Sequence, residues 1–263
     1  MYLVAAARVR KAQERLLAAR PYASKMDSLL GHLAARVDRG AHPLLAQREV
    51  QRALVLVINS DRGLCGSFNS SLFRRAAAHV GALGDRPYDM ICIGRKGRDH
   101  FRKRDFPVVE DYTGVFQQLA FSNASAIAED VMRRYLSGDV DRVDVIYNEF
   151  KNLIQQEIVV EQLLPIAAEE PEGDPNFVDF IYEPEPTQLL DQLVPRHLHF
   201  QMWRILLESN AAEQGARMAA MDNATKNAGD LIGELNQDLN KARQTAVTLE
   251  LMDIVGGAEA LES

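Results

Sequence analysis

The C-terminal end most constrains what this chain can fold into, because residues 196–263 contain no proline. From Met218 onward, apolar or small residues recur there at steps of three and four, which is the spacing of one helical face. A continuous helix of this length would extend roughly 100 Å, longer than a globular core usually requires. We therefore expect it to pack along a partner helix. Its stripe consists of Ala211, Met218, Met221, Thr225, Ala228, Ile232, Leu235, Leu239, Ala242, Ala246 and Leu249.

The N-terminal end supplies a matching helix. Heptad-like spacing of apolar residues is typical of helices that pack against another helix. Pro21 lies inside the stripe and is predicted to kink the helix, because proline removes a backbone donor. The segment Arg39–Pro43 is predicted to end it. The stripe consists of Tyr2, Ala5, Val9, Ala12, Leu16, Ala19, Ala23, Met26, Leu30, Leu33 and Val37.

Between these ends, short apolar runs alternate with helical segments. One helix is predicted through Phe73 to Val80, and another from an N-cap at Ser122 to Tyr135. The acidic, proline-rich stretch Glu169–Pro175 is predicted to be a surface loop, and Thr187 to cap the last helix. The predicted strands are Ala53–Ile58, Asp89–Gly94, Arg142–Tyr147 and, at the sheet edge, Glu157–Leu163.

These patterns together predict an α/β chain. It combines an antiparallel coiled coil of N- and C-terminal helices with a Rossmann-like, mainly parallel α/β domain, because strands and helices alternate only in the middle. We place the boundaries at 1–49 for the N-terminal coiled-coil helix, 50–182 for the α/β domain and 183–263 for the long C-terminal helix.

Composition excludes several classes of function. The net charge of −7, with no concentrated basic block, argues against a dedicated nucleic-acid binder. Cys65 and Cys92 fit neither a disulfide framework nor a CxxC metal site. His197 and His199 fall on different faces of a helix, so no shared metal is expected. No apolar run is long enough to span a membrane, and no signal-peptide pattern is present. We predict neither a cofactor nor a metal.

The segment Ser60–Asn69 follows the first strand and opens a helix, a position that suits an anion site. However, it lacks the Walker lysine and hydroxyl and contains no GxGxxG. Cys65 is not in a nucleophile elbow, and no histidine lies close to it in sequence. From its residues alone, a tight structural turn is favoured over a ligand-binding or catalytic loop.

Other polar groups have ordinary interpretations. Gly94–Arg98 is expected to be a solvated basic loop. Asp139, Asp141 and Asp144 lack the glycine and distal glutamate of a calcium loop. The polar residues of the C-terminal helix fit a solvated face. The sequence brings no acid–base pair together, so no catalytic residue is predicted.

Several of these segments resemble the gamma subunit, or central stalk, of F-type ATP synthases. The turn Asp61, Arg62, Gly63, Leu64, Cys65, Gly66 is similar to the family's "SDRGLCG" segment. The resemblance covers essentially the whole chain, and its motifs occur in the family's order. They are Val4–Arg8, Arg10–Gln13, Arg20–Ala23, Ile58–Gly66, Ala216–Ala228, Asn240–Gln244 and Ile254–Ala258.

The resemblance implies a role and a set of partners. It implies a non-catalytic rotor shaft that couples proton flow through the c ring to ATP synthesis in the alpha/beta head. The expected partners are the alpha, beta and epsilon subunits and the c ring. The expected location is peripheral, at the cytoplasmic face of a bacterial plasma membrane.

The resemblance also implies which residues meet partners. By match to the family's motifs, the shaft is expected to meet the beta-subunit catch loops at Arg217, Arg243, Gln244, Thr248 and Glu250, with Met1 nearby. Asp61, Arg62, Gly63 and Gly66 form the family-signature turn.

One departure from the family concerns Met1. It matches the methionine of a "KAM" triplet. In family members, further helical residues precede this triplet. We expect that the natural chain begins earlier and that residues near Leu239 to Leu249 lack their helical partner in this sequence. Intact mass of the native protein would test that expectation.

Two other classes of function remain as alternatives. A nucleotide-binding α/β enzyme would bind ATP or NAD in equilibrium dialysis. A free-standing coiled-coil tether would purify as a homodimer. A shaft would purify with other subunits.

Overall fold

The computed structural model describes residues 2–34, 42–152, 155–166 and 186–262. Contacts divide the chain into two compact units, Met1–Ala219 and Ala220–Ser263. Met1 and the predicted loop Glu169–Pro175 lie outside the described residues.

A five-stranded sheet forms the centre of the first unit, with strand order β3-β2-β1-β4-β5. The first four strands are parallel, and β5 runs antiparallel to β4. The mainly parallel sheet predicted from the sequence is therefore confirmed. The strands are β1 (Ala53–Ile58), β2 (Tyr88–Ile93), β3 (Val108–Tyr112), β4 (Arg142–Phe150) and β5 (Gln156–Leu164).

Helices cover both faces of this sheet, which explains why β1 is an uninterrupted apolar run. All six residues of β1 are buried. Leu54, Leu56 and Ile58 belong to one core cluster, whereas Val55 and Val57 belong to the cluster on the opposite face. The helices between strands are α2 (Phe68–Ala82), α3 (Arg95–Arg102) and α4 (Phe121–Leu136).

Two elements differ from the sequence expectations. The basic segment after β2 is not a loop but begins α3, a helix of which only Gly97 and Phe101 are buried. Its sequence is largely charged, and Phe101 is the one large apolar residue among its eight positions. The edge strand β3 was not predicted, because only part of it is covered.

Two predicted helix caps are also wrong. Helix α4 begins at Phe121, before the predicted cap Ser122, and the Oδ1 atom of Asn123 accepts a hydrogen bond from Ala120 N at 2.9 Å. Helix α5 (Pro186–Glu262) begins one residue before the predicted cap Thr187. Proline is favoured in the first turn of a helix, where its missing N–H costs nothing.

Helix α1 (Tyr2–Ala34) buries the face that the sequence predicts and continues through Pro21. The buried members of the stripe are Ala5, Val9, Ala12, Leu16, Ala23, Met26 and Leu30. Burying such a stripe removes apolar surface from water, which stabilises the fold by about 25 cal/mol per Å² of buried apolar area.

Within the first unit, α1 runs antiparallel to the beginning of α5. The ring centroids of Tyr22 and Phe200 lie 4.0 Å apart, and Arg20 donates to the Glu208 carboxylate at 3.3 Å. Residue numbers therefore fall along α1 as they rise along α5. The predicted antiparallel pairing is confirmed for this part of the chain.

The beginning of α5 also packs on the sheet. Glu208 accepts from Phe150 N at the end of β4, at 3.1 Å, and Arg204 pairs with Glu161 of β5 at 2.7 Å. The sequence-derived stripe starts at Ala211 and so misses most of this packing. The buried apolar residues here are Leu190, Val194, Leu198, Met202, Ile205, Leu206, Leu207, Ala211 and Ala212.

The second unit is the remainder of α5, a single helix by itself. Every side chain from Asn223 to Ala258 is exposed, including Ile232, Leu235, Leu239 and Leu249 of the predicted stripe.

None of the described helices combines the length and hydropathy that crossing a membrane would require.

Candidate functional site

Asn59, which lies between β1 and the turn of residues 60–66, anchors the start of that turn to β2 and α3. Its backbone N–H donates to Ile93 O at 2.8 Å, and its side-chain Oδ1 accepts from Gly97 N at 2.7 Å. A Cβ atom at Gly97 would lie 2.1 Å from Asn59 Nδ2, and one at Gly94 would lie 2.3 Å from Asn59 O. Both positions therefore require glycine, and at Gly94 the φ angle of 120° requires it as well.

A second network closes the turn internally. Asn69 Oδ1 accepts from Ser60 N at 3.1 Å, and Asn69 Nδ2 donates to Ser60 Oγ at 2.7 Å. Ser60 Oγ in turn donates to Arg62 O at 2.6 Å. Buried polar groups are costly unless they are paired, and here each pair lies within the ten residues from Ser60 to Asn69. The turn is thus preorganised by its own side chains.

Asp61 connects the turn to two distant backbone segments. Its carboxylate accepts from Arg95 N at the start of α3 and from Gly114 N after β3, each at 3.0 Å. A carboxylate at a helix N-terminus is also favoured by the helix dipole. Asp61 is therefore a cross-link at the carboxyl edge of the sheet, and its hydrogen bonds explain why an acid stands there.

The tip of the turn faces outward and contacts α5 at one point. Leu64 has a φ of 64°, which is uncommon for a residue with a side chain, and it is 68% exposed. Gly66 has a φ of 58°. Gly63 O accepts from Arg217 at 3.0 Å, and Arg217 also pairs with Glu213. Burial raises the pKa of Glu213, and the neighbouring Arg217 opposes that rise.

This geometry does not suit covalent chemistry at Cys65. The thiol is buried, and burial raises its pKa. Thiolate, not thiol, is the reactive form of cysteine. No group of histidine, cysteine and carboxylate side chains among the described residues could hold a metal ion. The turn is partly exposed, and its own side-chain hydrogen bonds hold its conformation.

The distal group of site residues lies on the second unit. Arg243, Gln244, Thr248 and Glu250 are all exposed, and Thr248 Oγ1 donates to Gln244 O at 2.8 Å. Arg243 and Glu250 are one heptad apart, and Gln244 and Thr248 are four residues apart, so each pair shares a helical face. These four residues therefore offer charge and hydrogen-bonding groups along two neighbouring stripes of the helix.

Comparison with known proteins identifies the family. A family model described as ATP synthase matches residues 1–261. The ATP synthase gamma chain of Prosthecochloris aestuarii is 51% identical and that of Chlorobium limicola 50%, each covering 100% of this chain and 91% and 92% of the relative. This chain belongs to the ATP synthase gamma chain family. The resemblance noted from the sequence motifs is confirmed.

Solved structures agree with that assignment. The central stalk of the Tetrahymena thermophila mitochondrial ATP synthase matches with a TM-score of 0.65 and 27% identity, over 86% of this chain and 97% of the other. A chain of the Euglena gracilis mitochondrial ATP synthase matches with a TM-score of 0.63 and 18% identity, over 97% and 95%. The second match shows the shared fold.

The structure brings only some of the predicted site residues of this gamma chain together. Arg217 joins Asp61, Arg62, Gly63 and Gly66 around one turn of the first unit. Arg243, Gln244, Thr248 and Glu250 stand together on the second unit, and Met1 lies outside the described residues.

Sequence reasoning missed the residues that support the turn. Asn59 immediately precedes the turn, whereas Gly94, Gly97 and Gly114, which contact Asn59 or Asp61, lie tens of residues away. The one available signal was the pair of glycines three apart, immediately after a predicted strand.

Proposed function

We propose that this chain is the rotating central shaft of an F-type ATP synthase. In this proposal the c ring turns the shaft, and the shaft couples proton flow to ATP synthesis in the alpha/beta head. As a gamma chain it is a stalk subunit and not itself the enzyme. The observation that carries the proposal is the antiparallel packing of α1 on α5 in a chain of this family.

The physical basis of coupling is differential contact. A shaft whose sides carry different residues contacts each beta subunit differently at each angle. Nucleotide affinity can change with the angle only by the difference in contact free energy between the beta-subunit conformations. A stiff shaft transmits that difference because interactions such as Arg204–Glu161 and Glu208–Phe150 hold α5 to the sheet.

The beta-subunit catch contacts are assigned within this proposal to Arg217, Arg243, Gln244, Thr248, Glu250 and Met1. The exposure of Arg243, Gln244, Thr248 and Glu250 supports the assignment, because a contact surface must be accessible before assembly. Arg217 differs, since its side chain is largely covered and paired with Glu213. We assign Arg217 a contact made through the turn that it holds.

The proposal also includes location and chain division. We place the shaft at the cytoplasmic face of a bacterial plasma membrane, beside the epsilon subunit. We divide the chain at 1–49, 50–182 and 183–263. This division is supported by the placement of the five described strands between Ala53 and Leu164.

Co-purification tests the proposed assembly. A tagged chain expressed in its native host is expected to recover alpha, beta and epsilon subunits together. Recovery of a homodimer without them would contradict the shaft and favour a free-standing tether.

Coupled synthesis tests the contact residues. Arg243→Ala or Gln244→Ala is expected to lower ATP synthesis in reconstituted vesicles by about fivefold, the effect of losing roughly 1 kcal/mol of contact free energy. Assembly should persist. Asp238→Ala is the matched control, because Asp238 is equally exposed but lies on the other side of the helix from Arg243 and Gln244. Unchanged synthesis in both variants would remove these residues from the contact.

A further inference from the structure

A cavity of about 590 Å³ lies in the first unit beside the signature turn. It is bounded by α1, the turn after β1, the segment after β3 and the part of α5 that includes Asn210 and Arg217. The turn and the segment 116–119 follow the carboxyl ends of two parallel strands. Ligands of open α/β sheets bind outside these ends, at the place where the connections from two adjacent strands lead in opposite directions. In this sheet the strand order reverses at β1, which lies between β2 and β4.

Four cationic side chains line the cavity in addition to Arg217, which pairs with Glu213. Arg8, Lys11 and Arg15 project from one face of α1, since their spacing of three and four residues places them together. Arg62 approaches from the turn. Within the described part of the chain, none of the four forms a salt bridge. Their grouping contrasts with a net charge of −7 for the whole chain.

The two acids that line the cavity are already engaged. Asp61 accepts from two backbone N–H groups, and Glu213 pairs with Arg217. Arg217 therefore neutralises Glu213, Asp61 offsets one of the four cations, and the charged side chains that line the cavity keep a net charge of +3. An excess of positive charge in a confined space attracts a multiply charged anion.

We propose that this cavity binds a polyphosphate anion, either as a free ion or as the phosphate chain of a nucleotide. Guanidinium groups match phosphate oxygens in pairs of parallel hydrogen bonds, and three of the four cations are arginines. The anion would be held by side chains, which explains why the turn needs no Walker lysine or GxGxxG. The site is separate from the exposed residues proposed to contact the beta subunit on the second unit.

Calorimetric titration of the full chain tests the proposal. Sodium tripolyphosphate at constant ionic strength is expected to bind saturably, with a dissociation constant of about 1 mM or tighter. ATP should bind with similar affinity and adenosine should not bind, because the phosphates carry the interaction. ATP binding much more tightly than tripolyphosphate would identify a nucleotide as the source of the phosphate chain. Absence of binding by both would overturn the proposal.

Matched variants locate the site. Arg15→Ala and Arg62→Gln are each expected to weaken tripolyphosphate binding by about tenfold, the effect of losing one hydrogen bond to a charged group. Arg10→Ala is the control, because Arg10 lies on the opposite face of α1 and pairs with Glu14 instead. Equal losses in all three variants would show non-specific attraction and overturn the assignment.

An acidic peptide that bound more tightly than tripolyphosphate would also overturn it, in favour of a protein partner. Thermal unfolding of each variant checks that the fold is retained.

Discussion

The two units of this chain use the same kind of sequence in opposite ways. Before Ala220, α5 buries residues such as Leu198 and Leu206 against α1 and the sheet, and its charged groups have distant partners. After Ala220, residues such as Leu235 and Leu239 are exposed. Lys226 and Lys241 form ion pairs with residues three or four positions away along the same helix. An apolar stripe therefore shows that a helix is able to pack against another element. Whether the stripe is buried depends on the presence of that element.

The largest contrast is expected from glycine-to-alanine substitutions. Gly94→Ala should destabilise the first unit by about 4 kcal/mol or more, since the added Cβ meets Asn59 O at 2.3 Å and φ is 120°. Urea unfolding followed by fluorescence of Trp203, the single tryptophan, reports on this unit.

Gly233→Ala is the matched substitution in the second unit. No atom lies within 4 Å of its added Cβ, so alanine should stabilise the helix by roughly 1 kcal/mol. Circular dichroism at increasing temperature measures this change. Similar effects at positions 94 and 233 would break the comparison between the units.

A second contrast concerns leucines on the same helix. Leu206→Ala should lower the free energy of unfolding by about 3 kcal/mol, because it leaves a cavity in a fully buried site. Leu235→Ala should change it by less than about 0.5 kcal/mol in the isolated chain, because Leu235 is 59% exposed. A large loss at Leu235 would show that its surface is covered in solution.

Asp61→Ala probes the cross-link under the turn. Two backbone N–H groups, of Arg95 and Gly114, would lose their acceptor, at a cost of about 2 kcal/mol. Asp238→Ala in the second unit should cost little, since Asp238 is exposed and lies 3.7 Å from Lys241. Urea denaturation of both variants measures the difference. An unchanged free energy of unfolding in Asp61→Ala would show that Asp61 does not stabilise the turn.

The smallest expected effect is a pH dependence confined to the first unit. Burial lowers the pKa of His42, with Asp191 opposing the shift, and Leu44 N donates to its Nδ1 at 3.1 Å. The neutral ring is therefore favoured in the folded state. Its contribution is present above the unfolded-state pKa of about 6.5 and is lost as the pH falls through that value and then through the lower folded-state pKa.

His42→Asn should retain more stability between about pH 7.5 and pH 5 than the parent chain, by less than about 1 kcal/mol. Asparagine can supply an acceptor to Leu44 N without titrating. His100, whose pKa burial also lowers, should leave a residual slope. Parallel stability curves for the parent and the His42→Asn variant would contradict the assignment. The second unit contains no histidine and should show no such dependence.

The local patterns of the sequence predicted most of the fold. The strand Ala53–Ile58 was placed with its observed ends, and the buried face of α1 follows the predicted stripe from Ala5 to Leu30. Such predictions succeed because burial on one face or both leaves a period in the sequence itself. Helix α3 and strand β3 were missed because charged residues dominate the first and partial cover conceals the second.

By itself, the sequence determined the family, the α/β class and the two helical stripes. Only the tertiary structure decided that Asp61 supports two distant backbone segments, that Gly94 and Gly97 make room for Asn59, and that Arg217 is held by Glu213 and the turn. The physical reason is that these contacts join residues far apart in the chain. A pattern along the chain records which face is covered, but it does not record which group covers it.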